Sequence, residues 1–186
     1  MNVKFAIIFV CFIIVIASYF FCYSKKDWRY LAVAMSFTLI SDYFLVLVNN
    51  HRVGVFTFCF VHIAYILRVS ENKTKSIIYI LVTIVGGTLL AFFVDDILIA
   101  LTAVYAALFV QNLIVNFYQN RLPNRKIILI GLVLFALCDI NVLMFNLPNF
   151  INFPQSIANT ALSLIWIFYA PAQVLLAFSA VAFRKA

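Results

Sequence analysis

Charge is what this sequence has least of. Only 10% of its 186 residues are charged, 67% are hydrophobic, and the mean hydropathy is +1.12. A soluble domain of this size is excluded by that composition. About seven apolar runs of roughly 20 residues fill the chain, which leaves no room for a soluble catalytic or nucleic-acid-binding domain. The formal net charge of +7 therefore reads as loop charge that sets membrane orientation, with no nucleic acid as partner. Cysteine is scarce too. Cys11, Cys22, Cys59 and Cys138 lie inside apolar runs without metal-ligand spacing, so neither a disulfide framework nor a zinc site is expected. No Gly-x-Ser-x-Gly elbow occurs, which argues against a serine nucleophile. The first apolar run has one Lys before it and no small-residue cleavage site, and reads as a first span.

What is there is an all-α polytopic bundle, expected as a single membrane domain over residues 1–186. The spans are expected at about 3–23, 29–48, 53–67, 76–94, 97–117, 126–145 and 155–183. The pair Gly86-Gly87 is a flexible point in the fourth, and Pro171 is expected to kink the seventh. Alternate loops then fall on opposite sides. One side receives Lys25, Lys26, Arg29, Arg68, Lys73, Lys75, Arg121, Arg125, Lys126, Arg184 and Lys185. The other receives only Lys4 and Arg52, with Asp95 and Asp96. The excess of basic residues marks the cytoplasmic side, so the N-terminus is expected outside and the C-terminus in the cytoplasm.

Two aspartates stand inside this apolar sequence. Asp42 lies in the second span and Asp139 in the sixth. An ionisable group at such a depth costs a few kcal/mol and ordinarily faces a partner or a wet cavity, which makes both functional candidates. Each lies 13 residues past a basic residue, Arg29 or Lys126, so both sit about 20 Å from the cytoplasmic boundary. The helices run parallel, and Ser41-Asp42 echoes Cys138-Asp139. Pseudo-symmetric halves of this kind often place a site at their interface. The expectation is that the two carboxyls meet within a water-bridged distance.

Other polar residues fall at helical spacing: Thr38, Asp42 and Asn49; His62 and Tyr65; Tyr105, Asn112 and Asn116; Asn159, Ser163, Trp166 and Gln173. They point to inward faces, because a lone polar group facing lipid is costly. Each also has a plainer reading. A single Asn, Ser or Gln in a span is more often helix–helix glue, and His62, Tyr65 or Trp166 alone can be packing residues.

The ordered set resembles a known family. Ser-Asp-x-x-Leu on an early span, His62-x-x-Tyr65 on the next, a second Asp late in the chain, and Trp166-x-x-Tyr169-x-Pro171-x-Gln173 on the last span are similar to the YhhN-like lysoplasmalogenases. The resemblance covers about residues 25–180. It implies a membrane hydrolase that cleaves the vinyl ether of a lysoplasmalogen to a fatty aldehyde and a glycerophospho-base. It also implies that the two essential aspartates of the relatives correspond to Asp42 and Asp139. The sequence departs from the family in having Trp28-Arg29-Tyr30 where Lys-Pro is common, and Val61 where Gly often precedes the His. These departures mark a divergent branch and bear on the substrate more than on the fold.

Acid-catalysed vinyl ether hydrolysis needs a proton donor to carbon and a base for water. Two aspartates sharing a proton in one cavity supply both, with no metal or cofactor. The candidate catalytic residues are thus Asp42 and Asp139. The candidate supporting or substrate-binding residues are Ser41, His62, Tyr65, Tyr105, Asn112, Asn141, Trp166, Tyr169, Gln173 and Arg52. Arg52 and the loop 146–152 are placed to meet a headgroup phosphate, although Arg52 also simply marks a helix end. The expected partners are a lysolipid, or another lipid, and the bilayer. A small proton-coupled transporter or a non-enzymatic lipid-binding protein would use intramembrane aspartates equally well. The topology makes the first testable claim: a C-terminal fusion to a reporter that works only in the cytoplasm is active, and activity of one that works only outside contradicts the charge sorting.

Overall fold

The computed structural model describes residues 3–119 and 122–181, with side chains from residue 5 onward. Arg121, Arg184, Lys185, the Lys4 side chain and the last residues of the seventh expected span lie outside the described residues. Among the described residues, seven α-helices form the bundle: α1 Val3–Ala17, α2 Lys25–Asp42, α3 His51–Val69, α4 Lys73–Leu90, α5 Ile97–Tyr118, α6 Arg125–Asn146 and α7 Gln155–Phe178. Helices α2 to α7, with their terminal turns, are long and apolar enough to cross a bilayer. The protein is a multi-pass membrane protein. Helix α1 is shorter than expected at 15 residues. It rises about 22 Å, against about 30 Å of hydrocarbon.

The helix starts follow from local chemistry. Ser24, Asn50, Asn72 and Asp96 each accept a hydrogen bond from a backbone N–H of the first turn of the helix that follows, which satisfies a donor the helix itself cannot. The end of α2 is unusual. It runs into a π-helical turn over Tyr43–Leu47, directly after Asp42, and such turns are frequent at functional sites. Asn49 then takes φ 56°, a left-handed conformation that Asn tolerates. The chain reverses there into α3.

Helix α6 packs along α7, α2 along α3 and α3 along α5, while α4 is held mainly by α5. Leu31, Met35, Val61, Leu132, Phe135, Ala172 and Leu176 fill the centre. The outer faces carry large apolar side chains, up to Phe93 at 86% exposed, a surface that only lipid accepts. Gly87 acts by close approach and not as a hinge: a Cβ there would overlap Val104 on α5. Helix α7 continues through Pro171.

One end of the bundle is tied by an ion pair. Arg68 was expected in a charged loop. Helix α3 instead runs to Val69 and turns Arg68 inward, where it is buried. Its Nε and Nη2 donate to the two carboxylate oxygens of Asp27 at 2.8 and 2.7 Å, and Nη1 donates to Ser179 Oγ at 2.8 Å. Bidentate pairing of this kind is the strong form of the interaction. It joins the start of α2, the end of α3 and the residue after α7. Asn124, before α6, donates to the carbonyls of Ser179 and Val181 at the same end. Tyr23 lies beside the pair. Burial, the larger effect, pushes its hydroxyl well above the usual tyrosine range, while the Arg68 charge pulls it down. Breaking such a pair strands a charge. Arg68→Met is therefore expected to cost about 3–5 kcal/mol, read by thermal unfolding in detergent, with much of the loss recovered in Arg68→Met/Asp27→Leu. A double variant as unstable as the sum of the two singles contradicts this.

Candidate functional site

Four helices bring together two copies of one arrangement. Tyr169 of α7 donates its hydroxyl to Oδ2 of Asp42 on α2 at 2.6 Å. Tyr105 of α5 donates its hydroxyl to Oδ2 of Asp139 on α6 at 2.6 Å. Both are short for O–H···O hydrogen bonds. Asp42 is 3% exposed, and Asp139 is partly buried. Among the described residues no other side-chain hydrogen bond reaches either carboxyl.

An aromatic wall connects the pairs. The Phe135 ring lies 5.6 Å from Tyr169, 5.8 Å from His62, 5.5 Å from Phe109 and 5.9 Å from Phe58. Tyr105 lies 5.0 Å from His62 and 6.0 Å from Phe58. Cys138, next to Asp139 in sequence, is within electrostatic range of Asp42 as well. The sequence pairs neither aspartate with a tyrosine, and nothing in it singles out the Phe58–Phe109–Phe135 wall among 21 phenylalanines.

The remaining candidates divide by what they touch. His62 is wholly buried in the wall, with Nδ1 3.3 Å from Asn112 Nδ2. Trp166 meets Tyr169 edge to face at 5.4 Å. Gln173, one turn along α7 from Tyr169, is 1% exposed, and neither amide atom has a partner among the described residues. Ser41 donates to Thr57 Oγ1 at 2.6 Å and so ties α2 to α3. Tyr65 reaches Met35 Sδ at 3.8 Å and neither carboxylate. Asn141 donates to the Leu137 carbonyl of its own helix at 2.7 Å. Arg52 is exposed and pairs with Asp96 at 3.2 Å, at the bundle end opposite Arg68. Asn159 and Ser163 were read as inward and are exposed; Asn159 pairs with Gln155 near the polar start of α7. No group of three or more His, Cys, Asp or Glu able to hold a metal occurs among the described residues.

A groove of about 250 Å³ runs between α3, α4 and α5, lined by Phe56, Phe60, Ile84, Leu101, Val104 and Leu108 among others. It is almost entirely apolar and does not include either aspartate.

The fold and the two Asp–Tyr pairs define a multi-pass helical membrane protein with carboxyl groups held inside its bundle. The chain belongs to the YhhN family, whose model matches residues 3–180, and that family includes lysoplasmalogenases. No curated protein and no solved structure matches the chain.

Among the described residues, each tyrosine is the one hydrogen-bond donor to its carboxyl. Tyr105→Phe and Tyr169→Phe are each expected to lower stability by about 1–3 kcal/mol. Within a pair the losses should not add: Asp42→Asn/Tyr169→Phe should cost less than the sum of the singles in detergent unfolding. Full additivity means that the hydroxyl and carboxyl do not interact.

Proposed function

We propose that this protein is a hydrolase of the lysoplasmalogenase type, with Asp42 and Asp139 as its acid and base. The observation that carries the reading is the repeated Asp–Tyr pair: two carboxyls inside the bundle, each fixed by a tyrosine from another helix at 2.6 Å on one aromatic wall. Membership of a family that includes lysoplasmalogenases supports it.

The chemistry divides between the two carboxyls. One holds a proton and delivers it to the alkene carbon remote from the ether oxygen. The double-bond electrons form that C–H bond and leave an oxocarbenium ion. The other carboxyl, as an anion, stabilises the cation and takes a proton from the water that adds to it. The hemiacetal O–H then gives its proton to the first carboxyl as the C=O forms, and the glycerol oxygen leaves as an alcohol with the proton held on the second, which restores both carboxyls. The products are one aldehyde and one glycerophospho-base, and the net reactant consumed is one water. The tyrosine hydroxyls hold the carboxyls in place through these steps and lower the cost of the anionic form.

The substrate's single alkyl chain fits an apolar slot open to lipid. The groove between α3, α4 and α5 is of this kind. Val104 and Leu108, which line it, are on α5 with Tyr105, the residue that holds Asp139.

The test uses purified protein and three lipids of equal chain length: a lysoplasmalogen, its saturated ether analogue and an ester lysolipid. Only the vinyl ether is expected to turn over. Asp42→Asn and Asp139→Asn are each expected to lower the rate ~10²–10⁴-fold, the usual share of general acid–base catalysis. Equal turnover of the ester rejects protonation of carbon in favour of a general lysolipase. Turnover of none of the three leaves the lipid-hydrolase reading without support and favours a transporter.

A further inference from the structure

His62 is wholly buried, yet only one of its ring nitrogens has a partner. Nδ1 lies 3.3 Å from Asn112 Nδ2. Nε2 is buried with no hydrogen-bond partner among the described residues. Which nitrogen carries the proton follows from a carbonyl two hydrogen bonds away. Asn116 places an amide atom 2.9 Å from the backbone oxygen of Asn112. A carbonyl only accepts, so that atom is the amide nitrogen. The same nitrogen lies 2.7 Å from the Asn112 side-chain amide. Two amide nitrogens repel at that distance, so the Asn112 atom facing it is the oxygen. The nitrogen of Asn112 therefore faces His62. An NH₂ group only donates, so His62 Nδ1 accepts. A proton on Nδ1, in the other tautomer or in a doubly protonated ring, would aim one N–H at another. The ring's proton is on Nε2.

The lock is anchored at its far end. Asn112 and Asn116 are both buried, and Arg125 Nε reaches the Asn116 carbonyl at 3.4 Å. At its near end, the Nε2 donor belongs to a ring packed 5.0 Å from Tyr105, the partner of Asp139, and 4.8 Å from Phe109. A buried donor without an acceptor is costly, and native structures usually satisfy one with an ordered water.

We propose that the Asn116–Asn112 pair locks His62 with its proton on Nε2, and that this N–H holds the water used in hydrolysis beside the Asp139–Tyr105 pair. The second clause rests on the vinyl ether reading; the first does not. His62 is here a donor that positions water, and the base remains a carboxyl.

The chain has two histidines, so His51→Gln leaves His62 as the only imidazole. Nitrogen-15 spectra of histidine-labelled protein in nanodiscs are expected to show Nε2 protonated and Nδ1 bare, with magnetisation passing from Nε2–H to water. Asn116→Leu does not touch the ring, yet it frees Asn112 to rotate and is expected to give a mixture of tautomers. A protonated Nδ1 in the parent protein, or an Nε2–H without contact to water, overturns the proposal. These spectra decide it even where no vinyl ether is turned over, so a failure of the functional reading is told apart. In the lysoplasmalogen assay, His62→Gln keeps an N–H near the place of Nε2 and is expected to hold kcat within ~3-fold. His62→Leu and His62→Asn should lose ~10-fold or more of kcat at little change in KM, the loss of one buried hydrogen bond. Equal losses for His62→Gln and His62→Leu would show that the ring only packs.

Discussion

The hydrogen bond from a tyrosine hydroxyl to an intramembrane carboxylate is the constraint on which this structure depends. A carboxyl inside an apolar span is expensive, and lipid offers it no donor. Here each of the two finds one on another helix, and each bond bridges two helices. Asp42 commits α2 to α7, and Asp139 commits α6 to α5. Helix α3 lies against both α2 and α5 and brings His62 to the wall. Helix α4 has no part in these bonds and is the least buried: only Ser76 and Ile80 are buried, and most of its other residues are exposed.

The two ends of the bundle show a different use of charge. At one end, Arg68, Asp27 and Ser179 form a buried, fully matched cluster that joins three helix ends. At the other, Arg52 and Asp96 form an exposed pair, of a kind worth about 0–1 kcal/mol. The contacts at each end join segments that alternate along the chain, as antiparallel packing of successive helices requires. The charge sorting in the sequence and the pairing in the fold are thus consistent with each other.

Much of the helical architecture was legible because membrane helices announce themselves by length and apolarity, and six of the seven met that pattern in the structure. The aspartates were legible for the same reason, as exceptions within it. Their partners were not. Tyr105 and Tyr169 were candidates, but helical spacing gives a residue's face and not the neighbour across from it, so neither Asp–Tyr bond could be read. Arg68 was misplaced because a basic residue near a span end looks like a loop signal. Its register after Phe58, Val61 and Tyr65, at steps of three and four, was the available sign that it faced inward. Asn159 and Ser163 show the converse error. Their spacing was helical, but a polar residue near the membrane surface needs no internal partner. Arg52 pairs with Asp96 across 44 residues, a contact that no local pattern reveals.

The central claim is that the bundle delivers a proton to carbon. Hydrolysis of a lysoplasmalogen in D₂O, with the aldehyde trapped as it forms, tests it most directly. The account predicts one deuterium on the carbon next to the aldehyde, at a rate that falls with Asp42→Asn or Asp139→Asn. A rate no slower in D₂O than in H₂O, or the same deuterium at an unchanged rate in both variants, would contradict it.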